Sequence, residues 1–128
     1  MQTYRVAEAA QLLGVSDDTV RRWIDADRLT TSLDGEGRRV VDGAELAAFA
    51  VALAGDPSGP EQTSARNAFP GIVTRVVRGD VASQVEVQSG PHRLVSLMTT
   101  ESVDDLGLRP GVRATASVKS THVVVDLA

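Results

Sequence analysis

Gly55-Asp56-Pro57-Ser58-Gly59-Pro60-Glu61-Gln62-Thr63 decides how this chain is read. With two prolines, two glycines and almost no apolar side chain, the stretch can neither join a core nor continue a regular element, so residues 55–63 read as a linker. The period of the apolar residues differs on its two sides. On the N-terminal side, Val6, Ala9, Ala10 and Leu13 recur at helical spacing, as do Val20, Trp23 and Ile24, and then Leu46, Phe49 and Leu53. On the C-terminal side the spacing falls to two. Ile72, Thr74 and Val76 alternate with Val73, Arg75 and Val77; Val85 and Val87 flank polar Glu86; Val112, Ala114, Ala116 and Val118 follow the same rule. The expectation is an α+β chain with a helical domain over 1–54 and a strand-rich domain over 64–128.

Each half is small. Of 128 residues, neither half holds much more than about 60, a size that buries about 60% of its unfolded-state surface, so help from partners or ligands is expected. The chain contains no cysteine, which excludes disulfides and thiolate metal sites and fits a reducing compartment, here the cytoplasm. The residues after Met1 lack a signal-peptide layout, and no apolar run approaches the roughly 20 residues that span a bilayer. The net charge is -4. Six arginines (Arg5, Arg21, Arg22, Arg28, Arg38, Arg39) face nine Asp and Glu within residues 1–55, a balance that opposes nucleic-acid binding, which rests on neutralising phosphates.

The arrangement of the N-terminal half points the other way. Gly14 suits a helix stop in left-handed conformation, and Ser16 suits the N-cap of a second helix whose positive end Asp17 and Asp18 complement. Tyr4-Arg5-Val6-Ala7-Glu8-Ala9-Ala10-Gln11-Leu12-Leu13-Gly14-Val15-Ser16 leading into Thr19-Val20-Arg21-Arg22-Trp23 resembles the helix-turn-helix of the MerR and excisionase families. The stretch from Leu29 to Val41, with Gly35, Gly37, Arg38 and Arg39, resembles their β-wing, and Asp42 to Phe49 the capped helix that follows. The resemblance implies that Thr19, Arg21 and Arg22 contact DNA bases or phosphates and that Arg38 and Arg39 contact phosphates.

In the C-terminal half, a tetrahedral dianion can be matched from the residue types alone. Such an anion offers only acceptor oxygens, so it needs hydrogen-bond donors and positive charge. Ser64, Arg66, Thr99, Ser102, Lys119 and Ser120 supply these, and Ser102 stands where it would cap a short helix over Val103-Asp104-Asp105-Leu106. Ser64-Ala65-Arg66-Asn67, Phe69-Pro70-Gly71-Ile72-Val73, Thr99 to Leu108, Gly111 and Val118-Lys119-Ser120-Thr121-His122-Val123 together resemble the molbindin or Mop domain of the TOBE group. That resemblance implies an OB-like β-barrel that binds molybdate or tungstate through Ser64, Arg66, Asn67, Thr99, Ser102, Lys119 and Ser120. Its sites are implied to lie between subunits, in a dimer or a hexamer, with the Ser64-Ala65-Arg66 and Lys119-Ser120 segments facing the Thr99 to Ser102 segment.

His92 and His122 have no partners at metal-ligand spacing, so no bare-cation site is expected. Arg75, Arg78, Arg93, Arg109 and Arg113 are scattered and read as a solvated barrel surface. No nucleophile, base and oxyanion-hole set can be assembled, and no enzyme is expected. Two functions fit: a molybdate-responsive DNA-binding regulator, or a molybdate store whose helical domain serves assembly or protein contact.

Overall fold

The structure, a computed structural model, describes residues 2–55 and 63–128. It divides into two compact units, Met1–Asp56 and Pro57–Ala128. The division falls within the stretch read as a linker, of which residues 56–62 lie outside the described residues.

The N-terminal unit runs β1 (Thr3–Arg5), α1 (Val6–Leu13), α2 (Asp17–Asp25), β2 (Ser32–Leu33), β3 (Arg39–Asp42) and α3 (Gly43–Ala54). Gly14 ends α1 at φ 70°, a left-handed conformation that costs a residue without Cβ little. Two residues later the Ser16 hydroxyl accepts from the Thr19 amide at 3.1 Å and starts α2. Ala9 and Ala10 of α1, Val20 and Ile24 of α2, and Leu29, Val41 and Leu46 form the buried core. Trp23 and Phe49 pack at its rim with ring centroids 5.0 Å apart, and the Arg28 guanidinium lies 5.5 Å from the Phe49 centroid. Leu53, read on the same stripe, is instead 42% exposed. β2 and β3 form the wing, with Ser32 opposite Val40 and Leu33 opposite Arg39. The Asp34 carboxylate closes its turn by accepting from the amides of Glu36 and Arg38, each at 2.9 Å. The Arg38 amide, chiefly, holds the Asp34 carboxyl below its ordinary pKa. β1 was not foreseen. It pairs antiparallel with the other edge of β3, Arg5 opposite Val40, and makes the sheet order β1-β3-β2.

The C-terminal unit contains β4 (Asn67–Arg78), β5 (Ala82–Ser89), β6 (His92–Thr99), α4 (Thr100–Leu106), β7 (Arg113–Val118) and a 3-10 turn (Ser120–His122). Its antiparallel sheet has the order β6-β5-β4-β7. β4 belongs to two ladders in succession: Asn67 to Ile72 pair with β7, and Ile72 to Arg78 pair with β5. A strand shared this way curls the sheet toward an OB-like barrel, and Gly71 sits at the changeover. A Cβ there would lie 2.2 Å from the Gln88 carbonyl oxygen, so the close approach of β5 requires glycine.

Two expectations for this half need correction, that Arg78 and Arg93 are only solvated surface and that the short helix starts at Val103, and the pairing settles which face of β4 points inward. The register of β4 shifts between Val73 and Arg75, and this bulge changes which face points inward. Val73 and Val76 therefore pack toward the core, while Ile72 is 44% exposed. Glu86, the polar residue between two valines, is buried along with them. Its carboxylate takes the guanidinium of Arg93, with Arg93 Nε at 2.9 Å. Arg93 thus compensates a buried charge, as a lone buried carboxylate would require. Arg78 is also engaged, by a two-pronged contact with Asp104 at 2.8 and 3.3 Å. Helix α4, finally, begins three residues earlier than read. Thr99 is the cap, accepting from the Ser102 amide at 3.1 Å, and Ser102 lies inside the first turn.

Candidate functional sites

Pairing of Asn67 with Val118 across β4 and β7 brings the two cationic segments of the sequence together. Arg66 precedes Asn67 and Lys119 follows Val118, so the two are antiparallel neighbours at one end of the ladder, with Ser64 and Ser120 close by in sequence. The Asn67 side chain reinforces this junction: its Nδ2 donates to the Val118 carbonyl at 3.0 Å and is half-buried. Arg66, Lys119, Ser64 and Ser120 are exposed. Among the described residues neither Arg66 nor Lys119 has a carboxylate partner. Lys119 stands at the head of the 3-10 turn, its carbonyl accepting from the His122 amide at 2.9 Å.

Thr99 and Ser102 lie elsewhere. Thr99 pairs with Ala82 at the end of β6, beside the end of β4 where Arg78 pairs with Ser83; Asn67 is at the other end of β4. No hydrogen bond or ion pair among the described residues joins this hydroxyl set to the cationic set. The Thr99 and Ser102 hydroxyls are 2.7 Å apart. Each carries one proton and only one is used between them, so whichever donates, the pair retains one O–H for an outside acceptor. The helix amides are less available than expected, since Thr100 N–H donates to the Val81 carbonyl at 2.8 Å and Ser102 N–H to Thr99.

Sequence reading missed what positions this corner. The Thr100 hydroxyl donates to the Gly79 carbonyl at 2.8 Å, which can only accept, and therefore accepts from the Ser83 hydroxyl at 2.7 Å. Ser83 and Thr100 are both buried, so this chain of bonds anchors the start of α4 to β5. A serine and a threonine separated by 17 positions carry no local signal of that pairing.

In the N-terminal unit the arginines differ in how far they are engaged. Arg21 lies 3.4 Å from Asp18, and Arg38 contacts Asp34 at 3.3 Å and Glu36 at 2.5 Å. Arg22 donates to the Thr19 hydroxyl at 3.2 Å, and that hydroxyl also meets Ser16 Oγ at 2.9 Å. Arg39 is exposed on β3. Arg21, Arg38 and Arg39 line one cleft, together with Arg5, Val6, Ala7 and Asp17. Arg22 is not part of that cleft, and Arg5 is the residue the sequence reading left out.

No helix among the described residues is long and apolar enough to cross a membrane. No group of three or more His, Cys, Asp or Glu among them is placed to hold a metal ion.

Residues 63–125 match the TOBE domain, and residues 3–50 match a helix-turn-helix domain. Molybdenum-pterin-binding protein 3 of Clostridium pasteurianum is 36% identical over 63 residues, which are 48% of this chain and 93% of that one. The chain belongs to the molybdenum-pterin-binding family. Among solved structures, the TOBE unit of this family member resembles a molybdate-binding protein from Sporomusa ovata, with 35% identity and a TM-score of 0.50, covering 52% of this chain and 98% of that one. The molybdenum transport protein ModE of Herbaspirillum seropedicae is 42% identical over 65 residues, or 50% of this chain. This chain spans 24% of the length of that protein. Family membership thus rests on the C-terminal unit, and the helix-turn-helix stands in front of it.

Proposed function

We propose that the C-terminal unit binds molybdate or tungstate between two copies of the chain, and that the N-terminal helix-turn-helix carries this signal to DNA. The observation that supports the first half most is the pairing of Asn67 with Val118, which makes neighbours of Arg66 and Lys119. Two cations with no carboxylate partner among the described residues, flanked by Ser64 and Ser120, offer charge and donors to a tetrahedral dianion. The remaining donors, the Thr99 and Ser102 hydroxyls, belong to the far end of β4. A second copy presenting that end to the cationic end of the first completes the shell, so ligand binding and self-association are one event. The molybdate-binding protein of S. ovata and the molybdenum-pterin-binding protein of C. pasteurianum, as named, support this ligand class.

The regulatory half rests on the helix-turn-helix match and on the wing, α2 and cleft arginines. Oxyanion that holds two copies in one arrangement fixes the separation of their two DNA-reading helices. The coupling is no larger than the difference in oxyanion affinity between arrangements. A second reading, molybdate storage with the helical unit serving assembly, is favoured by one observation, the excess of carboxylates over arginines in residues 1–55.

Isothermal titration calorimetry with molybdate, tungstate, sulfate and phosphate tests the sensor half. The expected result is saturable binding of the first two anions, lost in Lys119→Ala and Arg66→Ala. No heat with the unaltered protein contradicts it. Oxyanion binding that leaves DNA affinity and half-site spacing unchanged removes the regulatory reading and leaves storage.

A further inference from the structure

The sheet of the C-terminal unit is curled but keeps two free edges, β6 and β7, since its order is β6-β5-β4-β7. An apolar cleft lies between them. Its walls include Leu94, Val95, Ser96 and Met98 of β6 and every residue from 114 to 118 of β7. Neighbouring residues of a strand point to opposite faces, so a cleft that touches consecutive residues on both strands reaches their unpaired edges. Such edges invite another strand.

The chain after β7 has the pattern of that strand. Val123, Val125 and Leu127 alternate with Val124 and Asp126, the period of a strand with one apolar face. Yet residues 123–127 belong to no strand, and all of them are exposed. Valines favour strands, and leaving them in water forgoes their burial.

We propose that residues 123–127 of one copy dock in the cleft of a second copy, antiparallel to its β6, and that this exchange joins the two ends of the oxyanion site. The second part rests on the oxyanion reading above; the first does not. Residues 123–127 match residues 94–98 of β6 in length. With Val123 opposite Met98, Val125 falls opposite Ser96 and Leu127 opposite Leu94, all toward the cleft, while Val124 covers the exposed Leu97 on the outer face. In this register the chain just ahead of residue 123 passes the end of β6. Lys119 and Ser120 of one copy therefore arrive beside Thr99 and Ser102 of the other. A single copy cannot reach this arrangement. Val118 pairs with Asn67, whereas Thr99 lies by the Arg78 end of β4, whose 12 residues measure about 40 Å along the strand. The span from Val118 to Val123 extends at most about 18 Å, and the 3-10 turn within it shortens that further.

The chain has no cysteine, so an introduced pair reports this contact. Full-length Leu97→Cys and Val124→Cys chains are unfolded together, refolded as an equal mixture, oxidised without molybdate and run on a non-reducing gel. The expected result is a two-chain band several times stronger than either variant gives alone, because directly opposed strand residues come within disulfide reach. A chain carrying both substitutions gives the same band. If it instead stays at the mass of one chain with its thiols consumed, the segment closes its own barrel and the exchange is overturned. No cross-link in chains whose circular dichroism matches the unaltered protein also overturns it. Calorimetry on the cross-linked pair then separates the two parts. Retained molybdate binding supports the joined site; a cross-linked pair that binds no molybdate supports the docking and overturns the oxyanion reading.

Discussion

The two units place their apolar residues differently. The N-terminal unit buries Ala9, Ala10, Val20, Ile24, Leu29, Val41 and Leu46 and closes the rim with Trp23 and Phe49, whereas the C-terminal unit buries four valines, Val73, Val85, Val87 and Val103. The C-terminal unit leaves Val81, Val95, Leu97 and Leu106 exposed along with Val124, Val125 and Leu127 of the tail, Leu97 at 78%. The first unit exposes fewer large apolar residues, Leu12, Leu33, Val51 and Leu53, and its proposed function falls to its polar surface, the arginine cleft and the wing. Exposed apolar surface on the second agrees with a site that a second copy completes. In the proposed function one unit reads a partner on its outside and the other makes its binding site by association.

The largest expected effect separates the units by ligand. Molybdate at about a thousand times its dissociation constant stabilises the unit that binds it by about 4 kcal/mol. Hydrogen-exchange protection should rise in residues 64–128, and an equal rise across residues 2–55 would erase the distinction. Gly71→Ala acts on the same unit from within. A Cβ 2.2 Å from the Gln88 carbonyl forces β4 and β5 apart, and the cost of such overpacking is about 3 kcal/mol. Thermal unfolding followed by exchange should show the loss in the strands alone. Ser16→Ala is the counterpart in the first unit, removing the cap of α2 at a cost of about 1 kcal/mol. Here protection falls in α1 and α2 while oxyanion titration is unchanged.

The smallest effect is in pH. The Arg78 hydrogen bond, aided by its charge, holds the Asp104 carboxyl below the ordinary value, and the pair is exposed. A lowered folded-state pKa contributes stability that is complete above the ordinary carboxylate pKa of about 3.9. It is lost as pH falls through the lowered value. Acid unfolding of Asp104→Asn should therefore show a slightly weaker pH dependence on that limb, and an unchanged profile would show that the pair is screened.

What was legible in the sequence follows from how local the physics is. Gly14 and Ser16 act on backbone within three residues of themselves, and both the stop and the cap are where the sequence puts them. The two apolar periods identified helices and strands for the same reason. The start of α4 was misplaced because Thr99 and Ser102 are equally good caps locally, and the choice is made by Thr100, whose amide is held by Val81 and whose hydroxyl is held between Gly79 and Ser83. The alternation within β4 left its inward face open, because the bulge after Val73 arises from pairing with β5, which no period within β4 reports. Arg5 was overlooked because a three-residue strand has too little pattern to announce itself and gains its place from β3. Of the proposed oxyanion residues, Arg66, Asn67 and Lys119 come together through one ladder, whereas Thr99 and Ser102 lie at the other end of β4 and would join them only through another molecule.

Mixing two inactive chains tests directly whether the cationic end of one copy and the hydroxyl end of another form one site. Lys119→Ala removes a cationic donor and a Thr99→Ala, Ser102→Ala chain removes the hydroxyl pair, so neither binds molybdate alone. If each site is built from two copies, chains unfolded together and refolded as an equal mixture regain about a quarter of the sites, those pairing an intact cationic end with an intact hydroxyl end. Calorimetry that recovers this fraction supports the account; a mixture as inert as its components contradicts it.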